Sequence, residues 1–271
     1  MILSPIEQSI KQKIEAAGIP LKDWNISINY GIKTGFNDAF IISGAKRDEI
    51  LANCKTDEER HKTAELIRPI LRGRDIKRYE YNFADLYLIN THNGIKEKNI
   101  PRIDINDFPA VKKHLDEYWD KIEHRADQGD TPYNLRNCAY MDEFNKPKIL
   151  YPDIMRLPKD KSKMAKYPYF YYDEKGFFPE ATLFLMTGEG VKQVFDFLCS
   201  EIGFFVFSKF YMGPVFDSTG FRYKKEYLEV LPIPMAKIAS SSPQEYEKKL
   251  ANYLKFSNEE CEHINSYKNN L

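Results

Sequence analysis

Apolar residues recur along the chain with two periods. Residues 4–17, SPIEQSIKQKIEAA, set Ile6, Ile10 and Ile14 at i, i+4 and i+8, which lines one face of a helix. Ser4 stands where an N-cap belongs and Pro5 at the first helical position, while Gly18 and Pro20 end the pattern. Strand-like runs follow at 25–30 and 39–42, separated by the polar turn YGIKTGFND. KRDEILANCKTDEERHKTAELIRPIL reads as helix, broken near Thr56 and stopped by Pro69, because proline removes a backbone donor and clashes with the preceding turn. ADLYLINTHNGI predicts a strand entering an Asn-Gly turn, and 107–127 sets Val111, Leu115, Tyr118, Trp119 and Ile122 on one helical face.

Beyond residue 128 the pattern changes. Residues 148–154 and 167–172 read as strands, DEKG as a hairpin tip, and ATLFLMTG as another strand. GVKQVFDFLCSEIGFFVFSKF predicts an apolar helix of roughly five turns, shorter and more charged than a membrane span. YMGPVFDSTGFRYKKEYLEVLPIP returns to loop and short strand. The tail from residue 242 reads as a long polar helix with Tyr246, Leu250, Tyr253 and Leu254 as its apolar stripe. The fold class expected is α+β: a mixed β scaffold carrying loops, with flanking helices at both ends. Residues 1–22 form a linker helix, 23–235 the main domain, as one body or as two lobes divided near 128–135, and 236–271 the C-terminal helix.

Composition narrows the class. A chain of 271 residues with 42% hydrophobic side chains can bury a substantial core. No apolar stretch approaches the roughly 20 residues needed to cross a bilayer, and the start lacks the apolar segment of a signal peptide, so a soluble cytoplasmic chain is expected. Cys54, Cys138, Cys199 and Cys261 stand far apart, with no CxxC pair to seed a zinc site; reduced, mostly packed thiols follow.

The 40 basic and 40 acidic side chains balance, which argues against a chain that coats nucleic acid without specificity, yet their distribution is uneven. LIRPILRGRDIKRY carries Arg68, Arg72, Arg74, Lys77 and Arg78 against Asp75 alone, and residues 146–166 carry seven basic residues against two acids. Acid gathers in 57–65 and 245–262. Two basic islands in a neutral chain suit a polyanion held at a defined place, or they are ordinary solvated loops.

Catalytic signatures are sparse. GIKTG does not supply a P-loop, and MTGEGVKQV is a tight turn entering a helix rather than a dinucleotide fingerprint. A serine elbow, HExxH or kinase set is not visible. His61, His92, His114, His124 and His263 all lie in polar surroundings and read as surface residues. One nuclease pattern stays open: Pro152-Asp153 followed by Asp173, Glu174 and Lys175 could hold Mg²⁺ for phosphodiester hydrolysis, although a hairpin tip at DEKG would splay these groups from Asp153. A binding module is the other reading, since arginine pairs with guanine and asparagine with adenine through two hydrogen bonds at once.

INYGIKTGFNDAFII, LIRPILRGRDIKRYEY, LYLINTHNGI, PYNLRNCAYMDEFNKPKILYPDIM and EYLEVLPIP, in that order over residues 6–235, resemble the TaqI-like C-terminal specificity domain of type II restriction-modification enzymes. The resemblance implies the double-stranded DNA recognition part of an adenine-N6 methyltransferase, bacterial, with the catalytic domain upstream of Ile6. It places S-adenosylmethionine, with Mg²⁺ as a further option, in that linked or associated domain and no cofactor in this chain. In agreement, the chain contains no Pro-Pro, which the adenine methyltransferase signature requires beside the flipped base. The chain alone is then not an enzyme. The DNA-binding residues expected are Lys33, Thr34 and Asn37 in the opening turn; Arg72, Arg74, Lys77 and Arg78 in the first island; Arg136 and Asn137 in NLRNCAY; and Lys146, Lys148, Arg156, Lys159 and Lys163 in the second island. A metal-dependent nuclease and a protein-interaction module remain the rivals.

Overall fold

The structure, a computed structural model, describes residues 3–212 and 220–271. The middle of the aromatic run read as loop and short strand, 213–219, lies outside the described residues. Among the described residues the strands are β1 (Gly18–Pro20), β2 (Ile26–Tyr30), β3 (Ile41–Ser43), β4 (Ile67–Leu71), β5 (Leu86–Ile89), β6 (Lys148–Pro152), β7 (Ile154–Arg156), β8 (Tyr171–Asp173), β9 (Phe178–Pro179), β10 (Leu183–Gly188), β11 (Gly220–Arg222) and β12 (Pro232–Pro234).

An antiparallel sheet ordered β2-β10-β6-β8 forms the central wall. Side chains alternate across a strand, so this wall feeds two cores. Ile149, Tyr151, Met186 and Ile28 enter one, which we call core B; Leu150, Leu183, Leu185 and Tyr171 enter the other, core A. Register agrees, because Leu185 pairs with Leu150 and Met186 with Ile149 on common faces. Core A is closed by the second sheet, β3-β5-β4-β9, and by helices Gly44–Ala52, Asp57–Leu66 and Pro109–Asp116. Core B is closed by helices Pro5–Ala17, Val191–Cys199, Glu201–Val206, Pro243–Tyr253 and Asn258–Asn269. The architecture is α+β, with helices at both ends. Residues 128–135 contribute to core A, where Gln128 bridges to Leu135 and Leu135 is fully buried; the two cores share the strands β6 and β10.

Local chemistry explains the best-read elements. Ser4 and Glu7 form a reciprocal capping box ahead of Pro5, and Ile10 and Ile14 are fully buried. The terminal segment packs on this helix: Ser9 and Lys13 reach the Glu260 carboxylate at 2.7 and 2.6 Å. Thr56 caps the helix Asp57–Leu66, at the expected break.

Elsewhere tertiary pairing overrides local pattern. Ile67–Leu71 is strand, not helix, because β5 supplies its partners; Pro69 is tolerated there because pairing with β9 begins only at Ile70. The helix expected over 107–127 breaks at Tyr118 (φ −111°, ψ 15°) while keeping Val111, Leu115 and Ile122 in core A. The apolar helix after Gly190 breaks at Ser200, which caps a new helix by accepting from the Gly203 N–H at 2.8 Å. The long tail helix is two helices, parted by Lys255 in the left-handed region. DEKG is not a hairpin tip: β8 pairs with β6 in the wall, and β9 pairs parallel with β4 in the second sheet, so this stretch crosses between sheets. The cysteines are free thiols, and among the described residues no helix is long and apolar enough to cross a membrane.

Candidate nucleic-acid interface

The polar turn after β2 is built inward. Gly31 donates to the Leu183 carbonyl at 2.7 Å, and a Cβ on it would lie 2.2 Å from the Glu180 carbonyl oxygen, so only glycine fits. Ile32 then enters core A. Thr34 is 2% exposed, and its hydroxyl donates to Asn37 Oδ1 at 2.6 Å, tying the turn to the short helix Asn37–Phe40. Gly35, between them, takes φ +72°. Burial removes Thr34 from the expected DNA contacts; it shapes the turn. Lys33 and Asn37 stay exposed, with the Lys33 ammonium 5.8 Å from the Tyr30 ring centre.

Arg125, which sequence reasoning missed, holds this turn to the facing loop. It is 6% exposed. Its guanidinium donates to the carbonyls of Thr34 (2.9 Å), Ile122 (3.2 Å), Pro132 and Asn134, and lies 4.5 Å from the Phe40 ring centre. Burial pulls its pKa down to about 10, against the opposing pull of Asp127, so it is charged at neutral pH.

Around Arg125 three segments join. Arg136 pairs with Asp127 at 2.8 Å, Asn137 Oδ1 accepts from Asn93 Nδ2 at 2.6 Å, and Asn93 Oδ1 accepts from the Asp130 N–H at 2.8 Å. Arg102 stands 3.6 Å from Asp130, and the Tyr140 hydroxyl donates to the Tyr30 carbonyl at 3.1 Å. Asn134 is buried and donates to the Ile103 carbonyl, so it braces the loop from inside. These contacts bring the opening turn and the segments around 93, 102 and 127–137 together, with Lys33, Asn37, Arg102 and Asn137 exposed and Arg136 half-buried.

The two basic islands also meet. Arg78 donates to the Ala165 carbonyl at 3.1 Å, and Lys166 lies 3.7 Å from Glu80. Within them the structure separates anchors from exposed cations. Arg78 is half-buried, with Glu201 at 2.9 Å and the Cys199 carbonyl as further partners. Arg72 is chelated by Asp75 through two bonds of 2.9 Å. Lys148 has no exposed side-chain surface and pairs with the equally buried Asp173 at 2.5 Å. Arg78 and Lys148 are thus corrected from DNA contacts to internal struts, because Lys148 neutralises a carboxylate with no exposed surface and Arg78 is committed to Glu201 and two backbone carbonyls, while Arg72 gives two of its N–H groups to Asp75. Arg74 and Lys159 are exposed, Lys146 and Lys163 hold local acids Glu143 and Asp160, Arg156 is exposed on β7, and Lys77 donates to the Arg74 carbonyl.

The nuclease pattern does not assemble. Asp153 pairs with Arg222 at 3.1 Å, Asp173 serves Lys148 and the N–H groups of Lys175 and Phe177, and Lys175 donates to the Tyr81 hydroxyl. Among the described residues no His, Cys, Asp or Glu cluster is placed to hold a metal ion. His114 is not a surface residue: it is buried, with Nε2 3.0 Å from the Ala39 carbonyl, and burial lowers its pKa.

A family model described as the TaqI-like C-terminal specificity domain matches residues 68–233. No curated protein matches the sequence. Among solved structures, that of the type IIG restriction endonuclease BpuSI superposes with a TM-score of 0.52 at 13% identity, covering 93% of this chain and 28% of that one. The type IIL restriction-modification enzyme MmeI in complex with DNA gives 0.47 at 11% identity, covering 84% and 26%. The chain therefore spans about a quarter of the length of these proteins, and the BpuSI likeness is one of fold.

Proposed function

The chain belongs to the TaqI-like C-terminal specificity domain family, and from that membership we propose that it reads a defined sequence in double-stranded DNA for a restriction-modification methyltransferase. The observation that carries this reading is that one buried guanidinium ties the turn bearing exposed Lys33 and Asn37 to the loop bearing Arg136 and Asn137, through the carbonyls of Thr34 and Asn134. Base edges are discriminated by donors at fixed positions, whereas phosphates need only nearby cations. This turn and loop supply the first, and the exposed cations Arg74, Lys159 and Lys163 with half-buried Lys77 supply the second. Lys33 and Arg136 suit guanine O6 and N7, and the exposed amides of Asn37 and Asn137 suit adenine.

Methyl transfer, with its S-adenosylmethionine, is proposed to reside in a linked or associated catalytic part, which accords with the absence of Pro-Pro from this sequence. No cofactor is proposed for this chain. It would act in the bacterial cytoplasm, where such enzymes meet DNA. Selection from a randomised duplex pool, followed by sequencing of the retained DNA, tests the reading. One enriched motif is expected. Retention without enrichment would restrict the chain to phosphate binding, and no retention at low salt would favour a protein partner.

A further inference from the structure

Arg125 joins the opening turn, 91 residues away, to the two segments that flank it in sequence. Its four carbonyl partners come from the opening turn (Thr34), the end of the short helix Trp119–Ile122 (Ile122) and the facing loop (Pro132 and Asn134). Arginine is suited to this because its planar fork presents five donors in fixed directions; a lysine ammonium is one point with three. Contact extends along the stem as well. A Cβ on Gly35 would lie 3.0 Å from Arg125 Cδ and 3.1 Å from Asp127 Cβ, so the turn rests directly on this side chain. Two residues on, Asp127 fixes Arg136. The turn that carries Lys33 and Asn37 and the loop that carries Arg136 and Asn137 thus meet at residues 125–127.

We propose that Arg125 is the positioning residue of the DNA-reading surface: it sets the opening turn, with Lys33 and Asn37, against the loop carrying Arg136 and Asn137, and so governs sequence discrimination rather than overall affinity. The inference rests on the DNA-recognition reading above. Hydrogen bonds to base edges need their donors held within about 0.5 Å, a tolerance that only a packed and bonded support maintains. Salt-dependent attraction to phosphates falls off over about 10 Å and is indifferent to such shifts. Loosening the seam therefore separates the two effects.

The test uses the full chain with Arg125→Lys and, separately, Gly35→Ala, which presses on the same contact from the turn while leaving the guanidinium intact. Each is assayed well below its melting temperature against the duplex enriched by the wild type and a scrambled duplex. The expected result for both variants is a loss of at least about tenfold in the enriched-to-scrambled affinity ratio, with scrambled affinity and its salt slope unchanged within about twofold. A preserved ratio, or a parallel loss for both duplexes, overturns the inference and leaves Arg125 a support of folding alone while the DNA-recognition reading stands. A wild type that prefers neither duplex overturns that reading, and this inference with it.

Discussion

Lys148 Nζ and Asp173 Oδ2 stand 2.5 Å apart, with no solvent-exposed surface on either side chain. Lys148 begins β6 and Asp173 ends β8, so the pair lies where the central sheet hands the chain to the second sheet. The carboxylate also accepts the N–H groups of Lys175 and Phe177, each at 2.9 Å, and the ammonium donates to the Phe144 carbonyl at 2.6 Å. Removing one partner strands the other charge in a place that excludes water. Asp173→Ala should cost about 3–5 kcal/mol of stability in a denaturant melt, and Lys148→Met should be similarly costly. At temperatures where each variant is folded, its preference for the enriched duplex should equal that of the wild type.

The burial pattern also ranks the basic residues. Alanine at exposed Arg74, Lys159 or Lys163 should weaken binding to enriched and scrambled duplexes alike, each reducing the salt slope by about 1. Arg78→Ala should instead lower the melting temperature, because it releases Glu201 and the carbonyls of Ala165 and Cys199, and should leave the slope unaltered. A salt titration of the four variants separates the two groups.

Arg136 should behave differently from both. It reaches the surface with 39% of its side chain exposed and is oriented by Asp127. Arg136→Ala is expected to lose about 1–3 kcal/mol on the enriched duplex and little on the scrambled one, with relaxed preference at a single base position. Repeating the pool selection with the variant identifies that position.

How much of this could be read beforehand depended on how local the cause was. The helix Pro5–Ala17 was legible because Ser4, Pro5, Glu7 and the isoleucine spacing lie within one another's reach. The strand at 67–71 was not, since its helix-like lead-in is overruled by β5, some twenty residues on. Likewise Lys148 and Thr34 carried the right chemistry for DNA, but partners 25 and 3 residues away turned them inward. Arg125 stood in IEHRADQGD, a charged run that resembles a solvated helix face, and nothing local signals that it would meet four carbonyls. The family, by contrast, was legible from the order of several weak motifs, and the family match over 68–233 agrees.

A pH effect is expected at the base of core B. Glu247 accepts the N–H groups of Glu201 and Ile202 at 2.9 and 2.8 Å, and burial, more than these bonds or nearby Arg78 can offset, raises its pKa to about 7. A carboxyl raised in the folded state contributes stability that is fully present below its unfolded pKa of about 4.3 and is lost as pH rises through 7. His92 and His114, both lowered by burial, work in the opposite direction over part of that range, so the comparison must be differential. Relative to wild type, Glu247→Gln should gain about 1–3 kcal/mol between pH 5 and 8. Equal pH dependence of the two melting curves would contradict this account of Glu247.

The central claim is that the Lys33, Asn37, Arg136 and Asn137 surface reads sequence while the cations around it bind phosphate. Fluorescence anisotropy of the wild-type chain on the enriched and scrambled duplexes, titrated from about 50 to 200 mM salt, tests it most directly. Two steep parallel lines separated by a constant affinity ratio are predicted, because phosphate contacts are shared and base contacts are not. Coincident lines, or binding that salt does not weaken, would contradict it.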